Sequence, residues 1–210
     1  MSTMMTDRYE HLLEQGEGES QATLVMLHGT GGNARQMADL GHALADAALP
    51  GAAVLSLQGD VLEAGMPRFF RRRGEGVYDM ADLDRATRKL SDFLDVTLEA
   101  HGRDPAQAIG IGFSNGANLL ANLFFARPQV LGGWALLHPL IPFAPAILPA
   151  AGARVLVTAG ENDPICPREE TRRLSMAIEA SGAALTTRWY PGGHAPSQQE
   201  WADLARWLAA

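Results

Sequence analysis

Residues 108–116 read Ala-Ile-Gly-Ile-Gly-Phe-Ser-Asn-Gly, an apolar run that ends in Gly112-x-Ser114-x-Gly116. A serine between two glycines at this spacing suits a turn that stops a strand and starts a helix within about two residues. The glycines flank Ser114 where a Cβ would collide with the neighbouring strand or the helix start. Such a turn holds a hydroxyl above the sheet, where it can act as a nucleophile. Three fixed positions of this kind arise by accident in about 0.07 chains of this length, so the flanks decide the matter. A β-rich apolar run precedes Ser114 and the helix-like stretch from Ala117 to Ala126 follows it, which is the required context.

A nucleophilic serine needs a base, an acid that orients the base, and donors for the oxyanion. His194 lies in Pro191-Gly192-Gly193-His194, after the last expected strand, and is the only one of the six histidines to follow both Ser114 and the candidate acid. That acid is Asp163, in Gly160-Glu161-Asn162-Asp163-Pro164, also just after an expected strand. An Asx turn before proline is the plain reading of Asp163, and Glu161 is its competitor. The chain order Ser114, Asp163, His194 is that of α/β-hydrolases and differs from the orders on other serine-hydrolase folds. His138, in His138-Pro139, is the alternative base, but it precedes Asp163. His28-Gly29-Thr30-Gly31-Gly32-Asn33 follows the first strong strand. No Gly-Lys-Ser/Thr follows it, which argues against a phosphate-binding P-loop. The expected oxyanion donors are the backbone N–H groups of Thr30 and Asn115, with His28 holding the loop.

The elements that must position these residues alternate along the chain. Strands are expected at Thr23–His28, Ala52–Leu57, Ala106–Phe113, Gly133–His138, Arg154–Ala159 and Leu185–Tyr190, with a weaker one at Tyr9–Glu14. Helices are expected at Asn33–Ala48, Met80–Ala100, Asn115–Ala126, Pro167–Ser181 and Ser197–Leu208. Apolar strands alternating with helices imply an α/β class: a mostly parallel central sheet with helices on both faces, a three-layer sandwich with a minimal cap. The reactive crevice of such a sheet lies beyond the carboxyl ends of its strands. The 210 residues are read as one domain, with no repeat or linker.

Bulk properties narrow the classes further. A formal charge of −7 argues against nucleic-acid binding, and the basic cluster Arg68 to Arg73 is short. No apolar run approaches the ~20 residues of a membrane span. The opening residues Met1 to Arg8 lack an apolar signal core, so a cytoplasmic location is expected. One cysteine, Cys166, excludes an internal disulfide framework and a cysteine-based zinc cluster. Beside the candidate acid, it reads as a packed thiol, with oxidation sensitivity the alternative.

Several segments together resemble the phospholipase/carboxylesterase group of α/β-hydrolases, which includes acyl-protein thioesterases. The branch most similar is that of small bacterial hydrolases associated with hydroquinone and related stress. The segments are His28–Asn33, Arg68-Phe69-Phe70-Arg71-Arg72, Gly112–Gly116, Leu137-His138-Pro139, Gly160–Pro167 and Gly193-His194. By motif position the resemblance implies a nucleophile at Ser114, an acid at Asp163, a base at His194 and oxyanion donors at Thr30 and Asn115, with no cofactor or metal. It implies a compact hydrolase in a group where dimers are common. Acyl-protein thioesterases carry a bulky apolar residue at the Thr30 position and glutamine at the Asn115 position, which counts against a long-acyl protein substrate.

The connection from Glu63 to Tyr78 is longer than the usual two to six residues, so a binding or lid role is expected there. Phe69 and Phe70 are expected to line the pocket or, alternatively, to tuck into the core. Arg68, Arg71 and Arg72 are expected to meet a substrate carboxylate, with a solvated loop as the alternative. Ile165 and His138 complete the substrate-facing set. The resulting expectation is a serine esterase for small soluble esters or thioesters. The alternatives are a catalytically silent binding protein on the same scaffold and a triad hydrolase of another bond, such as carbon–carbon cleavage of a ring-fission product.

Overall fold

A computed structural model of the chain describes residues 8–18 and 20–210. Most of the opening segment, read above as lacking a signal core, lies outside the described residues. In chain order the elements are β1 (His11–Glu14), β2 (Thr23–Leu27), α1 (Ala34–Ala48), β3 (Ala53–Leu57), β4 (Val61–Glu63), β5 (Met66–Arg68), β6 (Arg72–Gly74), β7 (Val77–Tyr78), α2 (Met80–Ala100), β8 (Ala108–Phe113), α3 (Asn115–Ala126), β9 (Gly133–Leu137), β10 (Arg154–Gly160), α4 (Arg168–Ala180), β11 (Ala184–Tyr190) and α5 (Gln198–Ala209). The strand expected from Ala106 begins at Ala108, because Pro105–Gln107 form one 3-10 turn capped by the Asp104 carboxylate.

Seven strands form one sheet in the order β1-β3-β2-β8-β9-β10-β11. Only β1 runs antiparallel to its neighbour; every other pair is parallel. Alternate residues of each strand enter opposite apolar layers. Val25, Leu27, Leu55, Leu136 and Val157 join Leu90, Leu120 and Leu174, from α2, α3 and α4. Leu24, Met26, Val54, Ala135 and Leu156 join Met37, Leu44, Leu204 and Trp207, from α1 and α5. The inner strands β2, β3 and β9 are buried along their whole length because both faces are covered, whereas the edge strands β1 and β11 are mixed and half-buried. This is the α/β-hydrolase fold.

The sheet reverses its direction of growth between β2 and β8. From β2 the chain steps outward to β3, whereas β8 to β11 extend the other way. Such a switch point opens a crevice above the carboxyl ends of the two central strands. The His28–Asn33 loop and Ser114 both emerge there. The long connection after β3 folds over this edge as two small antiparallel hairpins, β4–β5 and β6–β7. No helix among the described residues is long and apolar enough to cross a membrane.

Candidate active site

Ser114 is the turn residue between β8 and α3, with φ 50 and ψ −113. A non-glycine residue rarely adopts this backbone, so the surroundings must enforce it. The Ser114 N–H is held by Leu137 O at 2.9 Å, and Ser114 O accepts from the Asn118 N–H at 2.8 Å. Glycines admit the tight approach. A Cβ at Gly112 would lie 2.7 Å from Ala117 N, and one at Gly116 would lie 2.5 Å from Leu27 O. The elbow reading of the motif is thus a packing requirement from both sides.

The Ser114 hydroxyl lies 2.8 Å from His194 Nε2, and His194 Nδ1 lies 2.8 Å from Asp163 Oδ2. Three residues separated by 49 and 31 positions are brought into one hydrogen-bonded line, each following its own strand. Asp163 is doubly engaged. Its Oδ1 accepts from the N–H groups of Ile165 at 2.8 Å and Cys166 at 3.0 Å. The Asx-turn bonds and the bond to His194 therefore coexist, one set on each oxygen. Burial alone would raise the carboxyl, but the bonds from His194, Cys166, His138 and Ile165 outweigh it and hold Asp163 below the usual carboxylate range. Glu161 is exposed and pairs with Arg168, away from this line.

A cavity of about 300 Å³ opens over Ser114 and His194. Its wall includes Thr30, Asn115, Arg68, Arg72, Tyr78, Ile165 and Cys166. The main-chain N–H groups of Thr30 and Asn115 have no acceptor among the described residues. His28 sits beneath the Thr30 loop: its Nδ1 is 2.7 Å from Gly29 O and its Nε2 accepts from the Gly59 N–H at 2.9 Å. Desolvation lowers its pKa, which keeps this neutral, loop-holding form. The Asn115 side chain accepts from the Phe69 N–H at 2.8 Å, tying the start of α3 to the covering hairpins.

The arginine-phenylalanine stretch divides. Arg68 is 3% exposed yet lines the cavity; it donates to Thr30 Oγ1 at 2.6 Å and pairs with Glu63. Arg72 also lines the cavity and shares the same Glu63 carboxylate. Phe69 and Phe70 do not line it: both are fully buried in the core, where the apolar effect favours them over a wet cleft. Arg71 also lies apart, exposed and paired with Asp82. Of the remaining substrate-facing residues, Ile165 is in the cavity wall, whereas His138 lies behind Asp163 with 1% exposure. Cys166 is a packed thiol donating to His138 O at 3.3 Å; burial and the neighbouring Asp163 push it up, so it stays protonated.

His138 has a partner, Glu200, that spacing did not pick out, and neither did it pick out Thr158, Asn118 or Tyr78. His138 Nδ1 is 3.1 Å from Asp163 Oδ2, and its Nε2 is 3.2 Å from the Glu200 carboxylate, which also accepts from Thr158 Oγ1 at 2.5 Å. Ser197-x-x-Glu200 has the form of a capping box, in which the glutamate would turn back to its own helix start. Ser197 does cap α5, accepting from the Glu200 N–H at 3.2 Å, but the Glu200 side chain points inward instead. Asn118 and Tyr78 form a further brace. Asn118 Nδ2 donates to Tyr78 Oη at 2.7 Å, and Tyr78 Oη donates to Leu140 O at 2.6 Å. The ligating atoms of His138, Asp163 and His194 lie within 4.8 Å of one another, but they are hydrogen-bonded to each other and are not read as metal ligands.

The arrangement can move a proton from a serine hydroxyl to an imidazole whose far nitrogen is fixed by a carboxylate. The chain is similar in sequence and structure to several known proteins. MhqD of Bacillus subtilis (strain 168) is 41% identical over 199 residues, 94% of this chain and 96% of its own. The crystal structure of a Bacillus cereus carboxylesterase superposes with a TM-score of 0.89 at 38% identity, covering 95% of this chain and 93% of that one. The protein Atu2452 of Agrobacterium tumefaciens str. C58 superposes at 0.90 with 47% identity, covering 99% and 98%. The model of the phospholipase/carboxylesterase family matches residues 10–210, so the chain belongs to that family of hydrolases.

Proposed function

We propose that the protein is a serine esterase that cleaves small carboxylic esters or thioesters through an acyl-enzyme. The observation that carries this reading is the continuous line from Ser114 Oγ to His194 to Asp163, with 2.8 Å at each step. His194 Nε2 takes the Ser114 proton as Oγ attacks the acyl carbonyl. The carbonyl oxygen becomes an oxyanion, held by the free N–H groups of Thr30 and Asn115, each of the kind worth about 2.7–4 kcal/mol to the transition state. His194 then passes its proton to the departing alcohol or thiol. A water, activated by the same nitrogen, releases the acid. Asp163 fixes the His194 tautomer throughout.

The cavity supports a small substrate rather than a long chain, since about 300 Å³ is at the low end for drug-sized ligands. Arg68 and Arg72 share one carboxylate, Glu63, and both line the cavity wall. Glu75 lies at the exposed rim of the same cavity. The reading extends to esters that carry a carboxylate on the acyl or leaving group, met by Arg68 and Arg72. Hydrolysis of p-nitrophenyl acetate and butyrate, compared with an ester bearing a second carboxylate, tests both parts. Turnover that survives loss of Ser114 contradicts the first; equal rates for neutral and anionic esters contradict the second.

A further inference from the structure

His138 occupies a position that neutral imidazole fits poorly. It directly follows β9 with φ 50, is 1% exposed, and has a carboxylate against each ring nitrogen: Asp163 Oδ2 at 3.1 Å from Nδ1 and Glu200 at 3.2 Å from Nε2. A neutral ring has one N–H and one lone pair, so one of its nitrogens would direct a lone pair at a carboxylate oxygen. Either the ring carries a second proton or one carboxyl group does. Asp163 accepts four hydrogen bonds, two from backbone N–H groups and two from imidazoles, which fixes it as the ionised partner. The proton in question therefore lies between His138 and Glu200. Glu200 is fully buried and already accepts from the Thr158 hydroxyl at 2.5 Å, a short bond of the kind made to an ionised oxygen.

We propose that His138 is an imidazolium held between Asp163 and Glu200, and that this pair positions and electrostatically tempers Asp163, the acid of the proposed triad. The proposal rests on the reading of Asp163 and His194 as acid and base. The two imidazoles share a single acceptor atom, Asp163 Oδ2, and their rings stand 5.5 Å apart. A cation on one side of that oxygen weakens its pull on the other side. His194 is then fixed in orientation by an acceptor whose charge is partly balanced from its other side. The groups facing His138 are Asp163, Glu200, His194, the Thr158 hydroxyl bonded to Glu200, the Phe113 ring at 6.0 Å, the Cys166 thiol on its backbone carbonyl and, across a second cavity that His138 and Glu200 both line, Tyr190. Burial alone would deprotonate the ring, but the bonds to Glu200 and Asp163 outweigh it and hold His138 above the usual histidine range. His138 and Glu200 touch no part of the cavity over Ser114, so they act through Asp163.

Two measurements test this. In full-length Ser114→Ala protein, nitrogen-15 NMR of the imidazoles reads the state of His138 directly and needs no activity. Both ring nitrogens of His138 protonated at pH 8 is the expected result; a single protonated nitrogen overturns the proposal. In the second, kcat/KM is followed against pH for the parent and for His138→Asn combined with Glu200→Gln, which keeps a neutral donor to Asp163 and leaves no unpaired buried charge. The acid limb reports the free enzyme. It is expected to move to higher pH by roughly half to one unit, the size of effect a nearby charge exerts. An unmoved limb, with melting temperature and Ser114 labelling like the parent, means that Asp163 never felt a cation and overturns the proposal. Failure of the esterase reading would appear separately, as absent labelling of Ser114 with the NMR result intact.

Discussion

Arg68 Nη1 donates to Thr30 Oγ1 at 2.6 Å, which fastens the covering hairpins to the loop that carries the proposed first oxyanion donor. The pocket wall and the glycine-rich turn are thus one mechanical unit. Arg72 lacks this bond; it pairs with Glu63 and lines the cavity. The two arginines should therefore fail differently. Arg72→Gln is expected to lower kcat/KM for a carboxylate-bearing ester about tenfold to a hundredfold, the range of a charge-assisted hydrogen bond, and to spare a neutral ester. Arg68→Gln is expected to lower both, because Thr30 also loses its anchor. Paired assays on neutral and anionic esters decide this; equal losses for Arg72→Gln would remove the anion role.

Asp163→Asn preserves Oδ1 and so the N–H bonds of Ile165 and Cys166, but places an amide where two imidazoles need an acceptor. An amide N–H facing His194 Nδ1 forces the ring into the tautomer that cannot take the Ser114 proton. A fall in kcat of about 10⁴ is expected, together with a lower melting temperature, because the buried His138 ring loses one of its two carboxylate partners. Stopped-assay kinetics alongside thermal melts check it; a loss below tenfold would leave Asp163 without the orienting role.

Gly116→Ala tests the elbow itself. The new Cβ would sit 2.5 Å from Leu27 O and 2.7 Å from His28 O, both backbone atoms that cannot rotate away. Destabilisation of about 1–3 kcal/mol is expected from the overpacking. The Ser114 turn must also shift, so activity is expected to fall further than the lost folded fraction explains. Denaturant melts and specific activity, measured on the same preparation, separate the two losses.

The pH dependence of stability carries the two titrating groups with opposite signs. His138 is held above its ordinary value of about 6.5 when folded, so its contribution is complete below that pH and is lost as pH rises through the folded value. Asp163 is held below its ordinary value of about 3.9, so its contribution is complete above that pH and is lost as pH falls through the folded value. The difference in melting temperature between the parent and the His138→Asn, Glu200→Gln variant is therefore expected to be largest at pH 5–6 and to shrink on alkalisation. A difference that grows with pH would contradict the assignment of His138.

The sheet, its helices and the line of Ser114, Asp163 and His194 were legible because each leaves a local mark: alternation of strand and helix, a strand end, a serine with a glycine two residues to either side. Helix α1 starts after Asn33, whose side chain accepts from the Gln36 N–H at 2.9 Å, as its residue type suggests. The hairpins after β3 left no such mark. Their strands are two or three residues long, too short for a period to show. Phe69 and Phe70 were readable as either pocket or core, because a phenylalanine pair carries no sign of which way its loop turns. Glu200 was concealed for another reason. Its position three residues after Ser197 suits a helix cap, so nothing local announces that its side chain spans 62 positions to reach His138.

The central claim is that Ser114 is a nucleophile activated by His194. Incubation with a fluorophosphonate, followed by mass spectrometry of the intact chain and its peptides, tests it directly. One adduct per chain on Ser114 is expected, blocked by a p-nitrophenyl ester, and absent in Ser114→Ala, whose turnover should fall by about 10⁴-fold or more. Undiminished turnover in Ser114→Ala, or an adduct on another residue, would contradict the account.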